Sequence, residues 1–147
     1  MKLVNCKIIN KSNNPLPTYQ TEGASAVDLF ANLKHPILLK PKERKLIKTG
    51  ISISIPLGFE AQVRPRSGLA IKNGITVLNS PGTIDSDYRG EIGVVLINHS
   101  NENFKISNGE RIAQLVLSSY HKIQWQVVDL LDETERGIAG FGSTGKK

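Results

Sequence analysis

The sequence predicts an all-β domain of the sandwich or jelly-roll kind, and three features point there. Apolar and polar residues alternate with a period of two through residues 51–55 and 59–64. Two nearly continuous apolar runs of strand length, 94–97 and 112–117, suit a layer buried on both faces, by a second sheet or by another subunit. Glycine, proline and asparagine turns separate these runs, the spacing of many short strands.

The elements follow in order. Strands are expected over 3–9 and 37–39. Ile51, Ile53 and Ile55 face one way while Ser52 and Ser54 face the other, and Pro56-Leu57-Gly58 turns the chain. Phe59, Ala61 and Val63 then alternate with Glu60, Gln62 and Arg64. One short helix is expected, with Ser67 as its cap, Leu69, Ala70 and Ile71 as its body, and Asn73-Gly74 as its end. Pro81-Gly82 can occupy the centre of a type II turn and bend a hairpin there. Beyond it, 94–97, 103–106, 112–117 and 127–131 complete the strands. Residues 1–131 therefore read as one β domain. Residues 132–147 hold Gly137, Gly140, Gly142 and Gly145 but only Ile138 and Phe141 as large apolar side chains, so they are expected to form a mobile arm.

Composition narrows the function classes. The chain has 147 residues, 39% hydrophobic and 22% charged, which fits a soluble globular domain. Cys6 is the single cysteine, so neither an intrachain disulfide nor a multi-thiolate zinc site can form. His35, His99 and His121 have no metal-ligand spacing. No stretch at the start suits a signal peptide, and none approaches the ~20 apolar residues of a membrane span. A cytoplasmic protein without a membrane partner is expected. The net charge of +6 favours an anionic partner. Lys40, Lys42, Arg44, Lys45 and Lys48 form either a solvated strand edge or a phosphate or nucleic-acid patch. Aromatic residues are 5% and absent from that run, which leaves little for base stacking.

Four segments can carry chemistry. Arg64-Pro65-Arg66-Ser67-Gly68-Leu69-Ala70 sets two arginines before a helix start, which is either a polyphosphate cradle or an ordinary strand-to-helix turn. Residues 82–91 are the densest polar cluster. They could offer backbone groups to a planar base, with Asp85 and Asp87 on one side of an extended strand, or form a charged hairpin end with Asp–Arg pairs. Gln114, inside an apolar run, needs hydrogen-bond partners from the core or from a ligand. The fourth segment, residues 140–146, spells G-x-G-x-x-G and G-x-x-x-x-G-K, but position 147 is Lys and neither the preceding strand nor the following helix of those motifs is indicated. Such an arm could still close over phosphates bound elsewhere.

Five segments in fixed order resemble the homotrimeric dUTP pyrophosphatase (dUTPase) family. They are Ala24-Ser25-Ala26-Val27-Asp28-Leu29, Pro65-Arg66-Ser67-Gly68-Leu69-Ala70, residues 82–91, Gly109-Glu110-Arg111-Ile112-Ala113-Gln114-Leu115, and residues 136–145. Ala26 and Ala139 stand where the family usually has glycine.

The resemblance implies a jelly roll and a homotrimer with three shared active sites. The activity implied is hydrolysis of dUTP to dUMP and pyrophosphate by water attack on the α-phosphorus, which keeps uracil out of DNA and supplies dUMP for dTMP synthesis. By the same resemblance Asp85 orients the water, and Gly82, Thr83, Ile84 and Asn79 read uracil. Tyr88 packs on deoxyribose, and Arg66, Ser67, Gly68 and Gln114 hold the α- and β-phosphates. Arg136, Gly142, Ser143 and Thr144 serve the γ-phosphate end, with Phe141 over the base. Mg2+ is carried by the triphosphate and water, and Asp28 belongs either to structural support or to the metal-water shell. The rivals are a dCTP deaminase-like or bifunctional enzyme on the same fold, and a non-catalytic single-stranded nucleic-acid module. The second has no use for a carboxylate inside a basic cluster, so no nucleic-acid partner is expected.

Overall fold

The computed structural model describes residues 3–141. In chain order the elements are β1 (Lys7–Asn10), β2 (Val27–Phe30), β3 (Ile37–Leu39), β4 (Arg44–Lys48), β5 (Ile51–Ser54), β6 (Phe59–Arg64), α1 (Ser67–Asn73), β7 (Ile75–Val77), β8 (Gly82–Ile84), β9 (Gly93–Asn98), β10 (Phe104–Ile106) and β11 (Arg111–Ser119). They pair into four antiparallel sheets, ordered β1-β5, β10-β3, β2-β11-β6-β8 and β4-β9-β7. One core joins all four. Leu29, Leu39, Ile47, Ile51, Val63, Ile75, Leu96, Ile106 and Ile112 converge there from nine different strands. This is the mostly-β architecture with one short helix that the alternation predicts.

The patterns have local causes. Along β9, Val94, Leu96 and Asn98 are buried while Gly93, Val95 and Ile97 are half-buried, so one face is sealed and the other only partly covered. In β11 only Ile112 and Ala113 are buried, and 114–118 are half-buried. Neither run is buried on both faces within the chain. Arg44, Lys45 and Lys48 of the basic run lie on β4, an edge strand that pairs with β9 alone, and Lys40 and Lys42 sit in the turn before it. There Glu43 accepts the Lys40 N–H at 2.8 Å and meets Lys45 Nζ at 3.2 Å, contacts that hold its carboxyl below the usual carboxylate range. Gly50 needs to be glycine twice over. Its φ is +72°, and a Cβ would come within 2.7 Å of Ser12 Cβ.

Four local expectations are corrected. Pro81-Gly82 is not a type II turn: the Ser80–Pro81 peptide is cis, and Gly82 lacks a positive φ because it opens β8. No hairpin bends there either, since β7 pairs with β9 and β8 pairs with β6, in different sheets. Ser67 is the first helical residue rather than the cap; Arg66 holds the cap position with extended φ/ψ and makes no side-chain cap bond. Gly74, with φ of 64°, does end the helix. Finally, 127–131 form no strand. Every residue from 121 to 141 is exposed, and no neighbouring edge pairs with that backbone.

Candidate active site

A polar pocket of about 320 Å3 opens where β8 leaves its sheet. It is lined by Val63, Asn79, Gly82, Thr83, Ile84, Asp85 and Tyr88, together with Leu46, Glu91 and Gly93. Six of the expected site residues thus share one cavity. β8 is an edge strand: β6 occupies one side of its backbone, and the other side keeps free N–H and C=O groups. Asn79 reaches the same place, its Nδ2 3.0 Å from where a Cβ on Gly82 would sit. A Cβ on Gly82 would press on that amide and push it back by a few tenths of an ångström.

The chain turns directly after β8, with Tyr88 N donating to Asp85 O at 3.1 Å. Asp85 and Asp87 therefore stand on a turn and not along an extended strand. No Asp–Arg pair forms in 82–91 among the described residues; Arg89 donates instead to the carbonyls of Ser86 and Tyr88, at 2.6 and 2.8 Å. The Tyr88 hydroxyl donates to Glu91 O at 3.1 Å, and the ring lies over Gly90, where any Cβ would overlap it. Glu91 anchors the far wall: one carboxylate oxygen accepts Gly50 N–H at 2.8 Å and the other lies 4.0 Å from Lys48 Nζ.

A second cluster forms around β2 and β11. Asp28 is almost fully buried, and Gln114 lies directly across the ladder from it. Arg66 Nε sits 3.0 Å from Asp28 Oδ1, and Arg111 Nη1 sits 3.5 Å from Oδ2. The Arg66 contact is an ion pair without hydrogen-bond alignment, so Oδ1, shielded from solvent, has no hydrogen-bond partner among the described residues. Gln114 is half-buried, and its side chain makes no hydrogen bond among them. Ser67 and Gly68 are exposed at the start of α1. None of Arg66, Ser67, Gly68 and Gln114 lines the β8 pocket.

Of the expected tail residues, Arg136 and Phe141 are exposed, and Arg136 Nε donates to Ala139 O at 2.9 Å. Gly142, Ser143 and Thr144 lie outside the described residues. Ala26 and Ala139 have no positive φ, so neither position needs glycine for its backbone conformation.

Leu46 and Gly93 were not singled out from the sequence, and Glu91 and Arg111 entered only within the family-like segments, with no role of their own. Leu46 packs on Gly93, where a Cβ would approach Leu46 Cδ1 to 2.6 Å. Only the pairing of β4 with β9 reveals that contact. Arg111 did leave a signal. Two consecutive core-type residues after it, Ile112 and Ala113, break the period of two and mark a bulge.

The chain is thus a mostly-β protein with one short helix, a pocket beside β8 and a separate charged cluster around Asp28. The dUTPase family model matches residues 12–145. The deoxyuridine 5'-triphosphate nucleotidohydrolase of Finegoldia magna is 60% identical over 139 residues, covering 95% of this chain and 97% of that protein. That of Fusobacterium nucleatum is 54% identical over 99% of this chain and 100% of its own length. Among solved structures, the dUTPase of Staphylococcus bacteriophage 80alpha with dUpNHpp superposes with a TM-score of 0.85 at 26% identity, over 96% of this chain and 98% of that one. The fold also matches the phage phi11 dUTPase, described with a structural Mg(II) ion, at a TM-score of 0.79 and 20% identity over 88% of this chain and 99% of that one. The chain belongs to the dUTPase family.

Proposed function

We propose that the chain is a dUTP diphosphatase, hydrolysing dUTP to dUMP and pyrophosphate. The observation that carries this reading is the β8 pocket: a free strand edge, Asn79, Asp85 and Tyr88 around one cavity, in a chain 60% identical to a dUTP nucleotidohydrolase. A free edge offers alternating donors and acceptors in a plane. Uracil presents a complementary imide edge, whereas cytosine presents the wrong donors. Leu46 and Val63 add apolar walls to the pocket. Tyr88, backed by Gly90 and tied to Glu91 O, forms a rigid wall for deoxyribose.

Asp85 follows the base-reading strand directly, so a bound base sets its distance from the α-phosphorus. Its carboxylate orients a water for in-line attack and accepts the proton. The bond from the α-phosphorus to the α,β-bridging oxygen breaks, and pyrophosphate leaves. Arg66, Ser67, Gly68 and Gln114 hold the α- and β-phosphates, and the arm supplies Arg136, Phe141, Gly142, Ser143 and Thr144. No group of three His, Cys, Asp or Glu side chains gathers among the described residues. The substrate in this reading is the magnesium complex of dUTP.

Two features support a homotrimer with shared sites. The β8 pocket and the Arg66–Gln114 cluster each hold part of the machinery, and neither is complete alone. Ile123, Trp125, Val127, Leu130 and Leu131 form an exposed apolar stretch, and an apolar cleft of about 340 Å3 lies between the sheets, lined by Ile8, Tyr19, Ile53, Leu115 and Leu117 among others. Exposed apolar surface of this extent is characteristic of an interface. No helix among the described residues is long and apolar enough to cross a membrane, and a nucleotide-pool activity fits the cytoplasm. The test is pyrophosphate release from dUTP, dCTP, dTTP and UTP side by side, with sedimentation for the trimer. Turnover of dUTP alone is expected; equal turnover of dCTP, or ammonia release from it, would overturn the reading.

A further inference from the structure

We infer that Arg111 is a positioning residue for the phosphate side of the site, acting through Asp28 on Arg66. The inference rests on the reading of Arg66 as a phosphate ligand. The backbone explains how Arg111 arrives there. Gln114 pairs with Asp28 and Ala113 with Leu29, but Arg111, not Ile112, pairs with Phe30. Ile112 is therefore an extra residue in β11. In a regular ladder Ile112 would stand opposite Phe30, on the face shared with Asp28 and Gln114, and Arg111 would turn toward the core. The bulge lets Ile112 and Ala113 both enter the core and swings Arg111 out beside Asp28. Its guanidinium lies 5.9 Å from the centre of the Phe30 ring, which limits its rotation.

The charges explain what the contact does. A nearly buried carboxylate needs compensation at both oxygens. Arg111 Nη1 faces Oδ2, which leaves Arg66 to engage only Oδ1, through Nε. Arg66 Nη1 donates to Arg111 O at 3.2 Å and Nε is ion-paired with Asp28, so Nη2 is the guanidinium nitrogen that no described residue engages. Two cations against one carboxylate also leave a net positive charge on that face. Without the Arg111 side chain, Asp28 would draw Arg66 into a two-point fork and take its outer nitrogen from the phosphate.

The test compares dUTP, which has phosphates, with deoxyuridine, a competitive ligand that has none. In Arg111→Gln, KM for dUTP should rise roughly tenfold, the size of one charge-assisted hydrogen bond, while the inhibition constant of deoxyuridine stays the same. Arg111→Lys, which keeps a cation against Oδ2, should recover most of that loss. In an Arg66→Ala background, Arg111→Gln should add less than twofold. A full tenfold effect in that background would overturn the inference, as would a parallel loss of deoxyuridine binding or a Lys variant as poor as Gln. If instead Arg66→Ala leaves KM for dUTP unchanged, the phosphate reading of Arg66 itself fails.

Discussion

Asp85 and Tyr88 stand on the same turn, and each makes a separable contribution to the proposed chemistry. Asp85→Asn keeps the shape and the β8 edge but removes the proton acceptor. Its kcat should fall at least ~10²-fold while dUTP still binds, measured by single-turnover kinetics beside calorimetry. Unchanged turnover in the folded variant would remove Asp85 from the mechanism. Tyr88→Ala should raise kcat/KM for UTP relative to dUTP, because the wall against a 2′-hydroxyl is gone. Gly90→Ala should shift that ratio the same way, since a Cβ at 90 overlaps the Tyr88 ring and must displace it. If the ratio moves with Tyr88 but not with Gly90, the ring has another way to hold its position. Candidate site residues that are neighbours along the chain can be named together from the family resemblance, as Gly82, Thr83, Ile84, Asp85 and Tyr88 are, and the structure lines one pocket with them. Leu46 on Gly93 and Arg111 on Asp28 cannot, because those contacts depend on pairing between distant strands.

Strands with a strong period of two are legible with their faces, as β5 and β6 demonstrate. Errors fall where pairing decides conformation. Pro81-Gly82 has turn chemistry, yet Gly82 is drawn into β8 by Val63 across the ladder. Residues 127–131 have strand chemistry, yet no edge among the described residues pairs with them. Between β9 and β10 a single side chain replaces strand pairing. Asn98, fully buried, donates through Nδ2 to Leu39 O at 3.0 Å and Glu102 O at 2.7 Å. Its Oδ1 accepts from Ser100 N at 2.9 Å and Ser100 Oγ at 2.7 Å. Asn98→Ala strands these groups away from water, so the loss should be on the order of 3 kcal/mol. In a chain of this size that lowers Tm by about 10 °C. Because Asn98 lies outside both clusters, kcat/KM below the transition should change little. A melting temperature within about two degrees of the parent's would show that ordered water replaces the amide.

For the whole molecule, the open question is how two half-sites and an arm come together. The β8 pocket does not include Arg66, Ser67, Gly68 or Gln114, the residues proposed to hold phosphates, and residues 132–141 pack no buried side chain. Ile138 and Phe141 are as exposed as side chains can be, so the arm gains little from its own chain. We propose that it closes over a site on another subunit once the triphosphate supplies anions for Arg136 and the base supplies a face for Phe141. Removing residues 137–147 should then leave the trimer and its melting temperature nearly intact while hydrolysis collapses. Mixing decides whose site the arm serves. An Asp85→Asn chain that keeps its arm is combined with a chain that keeps Asp85 but lacks the arm, and the trimers are dissociated and reassembled together. Arms acting in trans restore complete sites in some mixed trimers, and activity returns above that of either parent. Arms folding back over their own Asp85 leave every site defective, because each chain then carries its own fault, and the mixture stays inactive.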